Sequence, residues 1–275
     1  MIQDILPYKL YNQYDKNASA EADDFALCFD AKGRILVCYI SGEITFPKVY
    51  QVGCDKNYTY LFAVDNTRFF MPCETPDSFD NFEYLSLRDL RNKCCSPKHL
   101  LFAAYTGKHI ADWYRDTKFC GRCGCEMKHS ETERAMTCEK CGYTAYPRIM
   151  PAVIVGIING DSLLITRYSK GYAHNALVAG FTEIGETAEE TVSREVMEEA
   201  GIKVKNIRYY KTQPWGMAND LLIGYFCEVD GDTTLKPDTD ELKYAQWVKR
   251  DEIELQPDDI SLTNEMMKMF RDGKI

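Results

Sequence analysis

The chain has 275 residues, with 33 Lys and Arg against 42 Asp and Glu, for a net charge of −9. That balance excludes a protein whose main business is coating nucleic acid, which requires a basic footprint. Composition is that of an ordinary globular protein, 45% hydrophobic and 27% charged, and the length suffices for two domains with separate cores.

No apolar run approaches the ~18–20 residues of a membrane span. The first residues lack a basic stretch followed by an apolar one, so no secretory signal is read and a cytoplasmic protein is expected. In that compartment the twelve cysteines are reduced thiols and metal ligands rather than a disulfide scaffold.

Residues 1 to about 95 read as β-rich. Apolar and aromatic runs at 26–29, 35–40 and 58–64 are separated by Asp, Gly and Asn turns. Cys28, Cys38, Cys54 and Cys73 are scattered among them and expected to be ordinary thiols. Ser96-Pro97 has the form of a helix opening, with serine as cap and proline as first helical residue. The spacing of Leu100, Leu101, Ala104, Ile110 and Trp113 predicts a connecting helix over 99–114. His99 and His109 fall on it as polar positions without a ligand role.

Cys120-x-x-Cys123 and Cys138-x-x-Cys141 follow. Two such pairs make a tetrahedral thiolate cage for Zn²⁺. The fourteen residues between the pairs are slightly fewer than usual, and a ribbon hairpin spans them. Cys125 has the wrong spacing and is left out. Residues 115–148 carry seven Lys or Arg against five Asp or Glu, which is no basic patch. A closed four-thiolate site has no open position for chemistry, so the zinc is structural.

After Tyr146-Pro147-Arg148 the pattern turns α/β. A near-continuous apolar strand at 152–158 meets an Asn159-Gly160 hairpin signal, and 163–166 pairs back. A third strand at 176–179 feeds directly into Gly180. A helix follows, then an unassigned segment at 209–220, strands at 221–227 and 244–248, and a closing amphipathic helix at 261–271. Helices on both faces of such a sheet make three layers.

The helix after Gly180 carries the chemistry. Thr187 and Glu190 have capping-box spacing, and Gly201 is the natural stop. Glu195, Glu198 and Glu199 fall within an arc of roughly 100°, beside an apolar stripe of Val192, Val196 and Ala200. Three stacked carboxylates repel one another, and a hard divalent cation such as Mg²⁺ or Mn²⁺ removes that cost. A solvated acidic face explains the glutamates, but not Gly180, Glu186, Arg194 and Gly201 at fixed offsets. A cluster that gathers divalent metal suits phosphoryl chemistry, in which metal neutralises phosphate oxygens and acidifies a bound water. Arg194 is expected to orient box glutamates and Glu186 to hold the turn into the helix.

Those offsets resemble the Nudix box: glycine, five residues, glutamate, seven residues, then Arg-Glu-aliphatic-x-Glu-Glu-x-Gly-aliphatic. Gly180, Glu186, Arg194, Glu195, Val196, Glu198, Glu199, Gly201 and Ile202 fill every specified position. The order of β-rich module, four-cysteine ribbon and box is similar to the NADH pyrophosphatase family of Nudix hydrolases. That family's Ser-Gln-Pro-Trp-Pro-Phe-Pro-x-Ser stretch is matched by Thr212-Gln213-Pro214-Trp215-Gly216-Met217-Ala218-Asn219-Asp220. Tyr146-Pro147-Arg148 and Glu241-Leu242 also match, and the likeness covers about residues 100 to 270.

The resemblance implies an α/β fold, a C-terminal Nudix α/β/α sandwich preceded by a small zinc ribbon and a β-rich N-terminal domain. The expected boundaries are 1–114, 115–147 and 148–275. It implies hydrolysis of NADH or NAD⁺ to AMP and nicotinamide mononucleotide, and removal of NAD caps from RNA 5′ ends. Glu195, Glu198, Glu199 and Glu241 would hold catalytic Mg²⁺ or Mn²⁺ with the Ala179 backbone. Glu133, Tyr146, Phe181, Gln213, Pro214, Trp215 and Asp220 would contact substrate. Phe181 and Trp215 would stack on a ring, and Tyr146 would come from the partner of a homodimer. The specificity stretch departs at Gly216, Met217 and Asp220, the last putting a carboxylate where phosphate contacts are expected. The alternatives are a Nudix hydrolase of another preference, such as ADP-ribose, and a non-catalytic nucleotide-sensing or nucleic-acid-binding Nudix protein.

Overall fold

The computed structural model describes residues 1–169 and 174–275. The chain divides into two compact units, residues 2–148 and residues 149–275, with 216–219 belonging to the first and Met1 to the second.

In the first unit the elements run β1 (Leu10–Tyr11), β2 (Phe25–Ala26), β3 (Ile35–Ile40), β4 (Glu43–Thr45), α1 (Val49–Val52), β5 (Tyr58–Val64), β6 (Thr67–Pro72), β7 (Phe82–Leu85), α2 (Leu87–Asn92), α3 (Lys98–Asp116), β8 (Lys128–His129), β9 (Met136–Thr137) and β10 (Thr144–Ala145). They form sheets ordered β1-β5-β6-β2 and β4-β3-β7, and a ribbon β10-β9-β8. Rings of Phe25, Phe46, Phe62 and Phe69 meet at 5.0–6.2 Å in the core.

Two expectations change here. The strand at 26–29 shortens to Phe25–Ala26, because Leu27 N–H donates to Phe70 while the Cys28 carbonyl accepts from Leu36. The chain therefore crosses from one sheet to the other at that point. Helix α3 begins one residue later than the serine cap implies. Ser96 is spent on the β4 end, accepting from Ile44 N–H and donating to the Gly42 carbonyl. Pro97 therefore serves as the N-cap, and Lys98 is the first helical residue.

The second unit comprises β11 (Met150–Asn159), β12 (Ser162–Tyr168), β13 (Val178–Phe181), α4 (Ala188–Ala200), β14 (Val204–Trp215), β15 (Asp220–Val229), β16 (Leu242–Lys249), a 3₁₀ turn and α5 (Leu262–Arg271). The sheet order is β14-β15-β11-β12-β16, with β13 paired to β11. Strand β11 runs parallel to β15, with Val153 opposite Ile223, and antiparallel to β13, with Val153 opposite Gly180. Side chains alternate across such a sheet. Val153, Val155 and Tyr225 meet Val192, Val196 and Ala200 of α4 on one face. On the other, Gly156 and Gly224 leave room for Met266 of α5. The three layers follow from this alternation.

The unassigned segment before β15 is an edge strand, β14, whose polar exposed pattern hides its type. Two register shifts against β15 break its alternation further.

Candidate active site

Helix α4 is fixed at both ends by its own sequence. Thr187 Oγ1 accepts from Glu190 N–H at 3.2 Å, and Thr187 N–H donates to Glu190 Oε2 at 2.8 Å. Such a cap stabilises a helix by ~1 kcal/mol. At the other end Gly201 takes φ 69°, a left-handed turn that costs glycine little.

Arg194 ties the loop to the helix. Its Nε donates to Glu186 Oε1 at 2.7 Å and its Nη2 to Glu186 Oε2 at 3.0 Å. Glu186 also accepts from Thr191 Oγ1 and Glu183 N–H. These donors, Arg194 foremost, hold its carboxyl down at about 2. Arg194 Nη1 bridges Glu195 Oε1 at 2.8 Å and Glu198 Oε2 at 2.9 Å, and Nη2 reaches the Phe181 carbonyl at 2.9 Å. One guanidinium thus holds Glu186, Glu195, Glu198 and the end of β13.

The third box glutamate is sealed in. Glu199 is 2% exposed, and its Oε2 has no hydrogen-bond partner among the described residues. Burial drives its carboxyl up to about 8. The Ala179 N–H opposes that rise, while the charges of Glu195 and Glu241 add to it. Glu195 is also raised, by burial first and against the pull of Arg194. Its carboxylate lies against β13, where a Cβ on Gly180 would come within 1.9 Å of it. Glu241 is exposed, on a turn whose carbonyl accepts from Ser169 N–H and Oγ, both at 2.9 Å.

An all-carboxylate donor set with mutual repulsion and one orphaned buried oxygen fits a hard divalent cation. Glu199 Oε2 and the cluster around it are where such an ion would be held. Tyr168, at the end of β12, points its hydroxyl at Glu199 Oε1 from 3.4 Å. No motif singles it out, and its partner lies 31 residues away.

The residues expected at substrate divide into three groups. Phe181 is half exposed at the end of β13. The pairing register puts it opposite Ala152, which in turn opposes Leu222, and the next row of that sheet face holds Met150, Asp220 and Trp215. Pro214 is exposed, whereas Trp215 at 8% leaves little indole surface for a ligand. Asp220 is 6% exposed, with Oδ1 unpartnered, and burial raises its carboxyl to about 6.

Gln213 is turned inward. It is fully buried, its Nε2 donates to the Ile260 carbonyl and its Oε1 accepts from Leu262 N–H, both at 2.6 Å. With both ends of the amide engaged, it props up the entry to α5 rather than facing a ligand. Glu133 and Tyr146 lie in the first unit, exposed and joined by a 3.1 Å bond from the Tyr146 hydroxyl to Glu133 Oε1.

The four cysteines converge. Sγ atoms of Cys120 and Cys141 are 3.6 Å apart and those of Cys123 and Cys138 3.5 Å, with all four within 4.8 Å. A tetrahedral zinc with ~2.3 Å bonds sets sulfurs about 3.8 Å apart. Each knuckle closes the same way, Gly124 N–H on the Cys120 carbonyl and Gly142 N–H on the Cys138 carbonyl. Both glycines have φ near +70°. Cys125 serves through its backbone, accepting from Cys120 N–H.

Residues 148–270 match the NUDIX domain, and the fold is that of a Nudix hydrolase from Nitrosomonas europaea. That structure superposes with a TM-score of 0.50 at 21% identity, over 57% of this chain and 92% of that one. The second unit is therefore a NUDIX domain. Residues 115–146 match the NADH pyrophosphatase zinc ribbon domain. Over 155 residues the chain is 46% identical to a Shigella flexneri protein and 45% identical to one from Escherichia coli strain K12, both named NAD-capped RNA hydrolase NudC. The match covers 55% of this chain and 59% of each relative, so the chain spans about three-fifths of their length. Residues 115–270 thus join an NADH pyrophosphatase zinc ribbon domain to a NUDIX domain. No described helix is long and apolar enough to cross a membrane.

Proposed function

We propose that this protein hydrolyses the diphosphate linkage of NADH or NAD⁺, releasing AMP and nicotinamide mononucleotide, and removes NAD caps from RNA 5′ ends. One observation carries the hydrolytic reading: Glu199, buried beside Glu195, keeps an oxygen free inside a group of carboxylates that repel one another. The substrate class rests on the ribbon family and on the activity for which the relatives are named.

Glu195, Glu198, Glu199 and Glu241 would hold Mg²⁺ or Mn²⁺ beside the Ala179 backbone. Such a cation, when bound, neutralises phosphate oxygens and acidifies a water. The protein's own part is orientation. Arg194 fixes Glu195 and Glu198, and Glu241, exposed, joins them as an additional metal ligand or as the base. Phe181 offers a face to a base, a contact worth roughly 1–3 kcal/mol. Asp220, Pro214 and Trp215 border that face, Glu133 would contact substrate, and Tyr146 would come from the partner of a homodimer. We place the domain boundaries at 114/115 and 147/148, and the protein in the cytoplasm.

The test incubates purified protein with NADH, NAD⁺, ADP-ribose and NAD-capped RNA, with Mg²⁺ or Mn²⁺, and resolves products by chromatography. AMP and nicotinamide mononucleotide are expected, and Glu198→Gln is expected to abolish their formation while melting like the wild type. Full activity in Glu198→Gln, or cleavage of ADP-ribose alone, would overturn the reading.

A further inference from the structure

We infer that Tyr168 is a positioning residue for the candidate metal site, donating its hydroxyl hydrogen to Glu199 so that Glu199 Oε2 is left as the open ligand atom. This rests on the reading that the carboxylate cluster holds a divalent cation. It adds a residue outside the box, on a different strand.

The backbone explains why Tyr168 arrives there. Strands β12 and β16 pair regularly from Ser162 opposite Lys249 to Arg167 opposite Tyr244, and then the register shifts so that Tyr168 opposes Leu242. The extra residue, Lys243, makes a bulge, a device that re-aims side chains at strand ends. One residue on, Ser169 donates through N–H and Oγ to the Glu241 carbonyl, and through Oγ to that of Asp240 at 3.2 Å. A single turn therefore delivers the phenol and anchors the Glu241 backbone.

The surroundings give the phenol one task. It lies in the field of three carboxylates, those of Glu199, Glu241 and Glu195. An ionised group would be repelled there, whereas an O–H donor is attracted. Its hydroxyl is 3.4 Å from Glu199 Oε1, and the Ala179 N–H also donates to the Glu199 carboxylate. Among the described residues, Oε2 has no hydrogen-bond partner. A glutamate held by two donors has already lost the rotamer freedom that ligation would otherwise remove. Loss of an outer hydrogen bond to a metal ligand typically lowers metal affinity or activity 10–100-fold.

The test titrates Mn²⁺ into the full-length protein without substrate, following free Mn²⁺ by electron paramagnetic resonance, for wild type, Tyr168→Phe, Tyr168→Gln and Glu199→Gln. Tyr168→Phe is expected to weaken Mn²⁺ binding by about tenfold or more. The metal midpoint for turnover should move with it, and kcat at saturating Mn²⁺ should return to within a few-fold of wild type. Tyr168→Gln retains an N–H donor and is expected to lose less. Equal losses in the two variants, or an unchanged Mn²⁺ midpoint in Tyr168→Phe, would assign Tyr168 to packing alone and overturn the inference. Wild-type Mn²⁺ affinity in Glu199→Gln would instead overturn the metal-site reading beneath it.

Discussion

Gly180 and Glu195 share one space: a Cβ on Gly180 would sit 1.9 Å from Glu195 Cδ and 2.0 Å from its Oε1. The glycine that opens the box is there to admit the carboxylate, since its backbone is ordinary extended strand paired with Val153.

Gly180→Ala is therefore expected to push Glu195 off its bond to Arg194 while β13 stays paired. A displacement of about 1 Å at a reacting centre costs on the order of 100-fold in rate. Steady-state kinetics with a thermal melt checks this: kcat/KM should fall by about that factor and the melting temperature by only a few degrees. Wild-type kinetics in Gly180→Ala would sink the argument.

Gln213 gives a prediction of the opposite kind. Gln213→Ala removes two buried hydrogen bonds and leaves the Ile260 carbonyl and Leu262 N–H unsatisfied. Each such loss costs about 1–3 kcal/mol, so destabilisation of about 2–6 kcal/mol is expected by urea denaturation. KM for the dinucleotide should change little in the folded fraction. A large rise in KM without loss of stability would return Gln213 to the substrate site.

Asp220 makes stability depend on pH. Its carboxyl is raised from 3.8 to about 6 by burial. Between those values the folded state keeps a proton that the unfolded state releases. Its contribution is therefore largest in acid, declines as pH rises through that window and is flat above it. The full shift corresponds to at most about 3 kcal/mol. Denaturation of wild type and Asp220→Asn from pH 4.5 to 7.5 should show the difference in stability between them changing with pH by up to about 2 kcal/mol, the part of the window that the scan covers. A constant difference would mean that Asp220 is ionised throughout.

Zinc should be integral to the ribbon. Structural zinc supplies roughly 10–16 kcal/mol to zinc-finger peptides, so Cys138→Ser is expected to lose the metal and open residues 115–146 to protease. Elemental analysis should give one zinc per wild-type chain and none in the variant.

What was legible in the chain follows the range of the interactions. Helix α4 announces itself because Thr187, Glu190 and Gly201 act on their own backbone neighbours, and the cysteine knuckles because each closes within five residues. Tyr168 was invisible because its aim depends on a register shift against β16, some seventy residues later. Gln213 was singled out by a motif match alone, and its inward role stayed hidden because its partners lie 47 and 49 residues on. Strand β14 escaped because an exposed, twice-bulged edge carries no two-residue period.

The parallel pairing of β11 with β15 sets a schedule for the ribosome. Residues 150–158 bond with partners at 220–228, so the middle of the second sheet waits for about seventy further residues to emerge. Residues 2–148 are complete before this sheet begins and lack only 216–219 of their unit. Until β15 is made, the mostly apolar β11 lacks its parallel neighbour on that side.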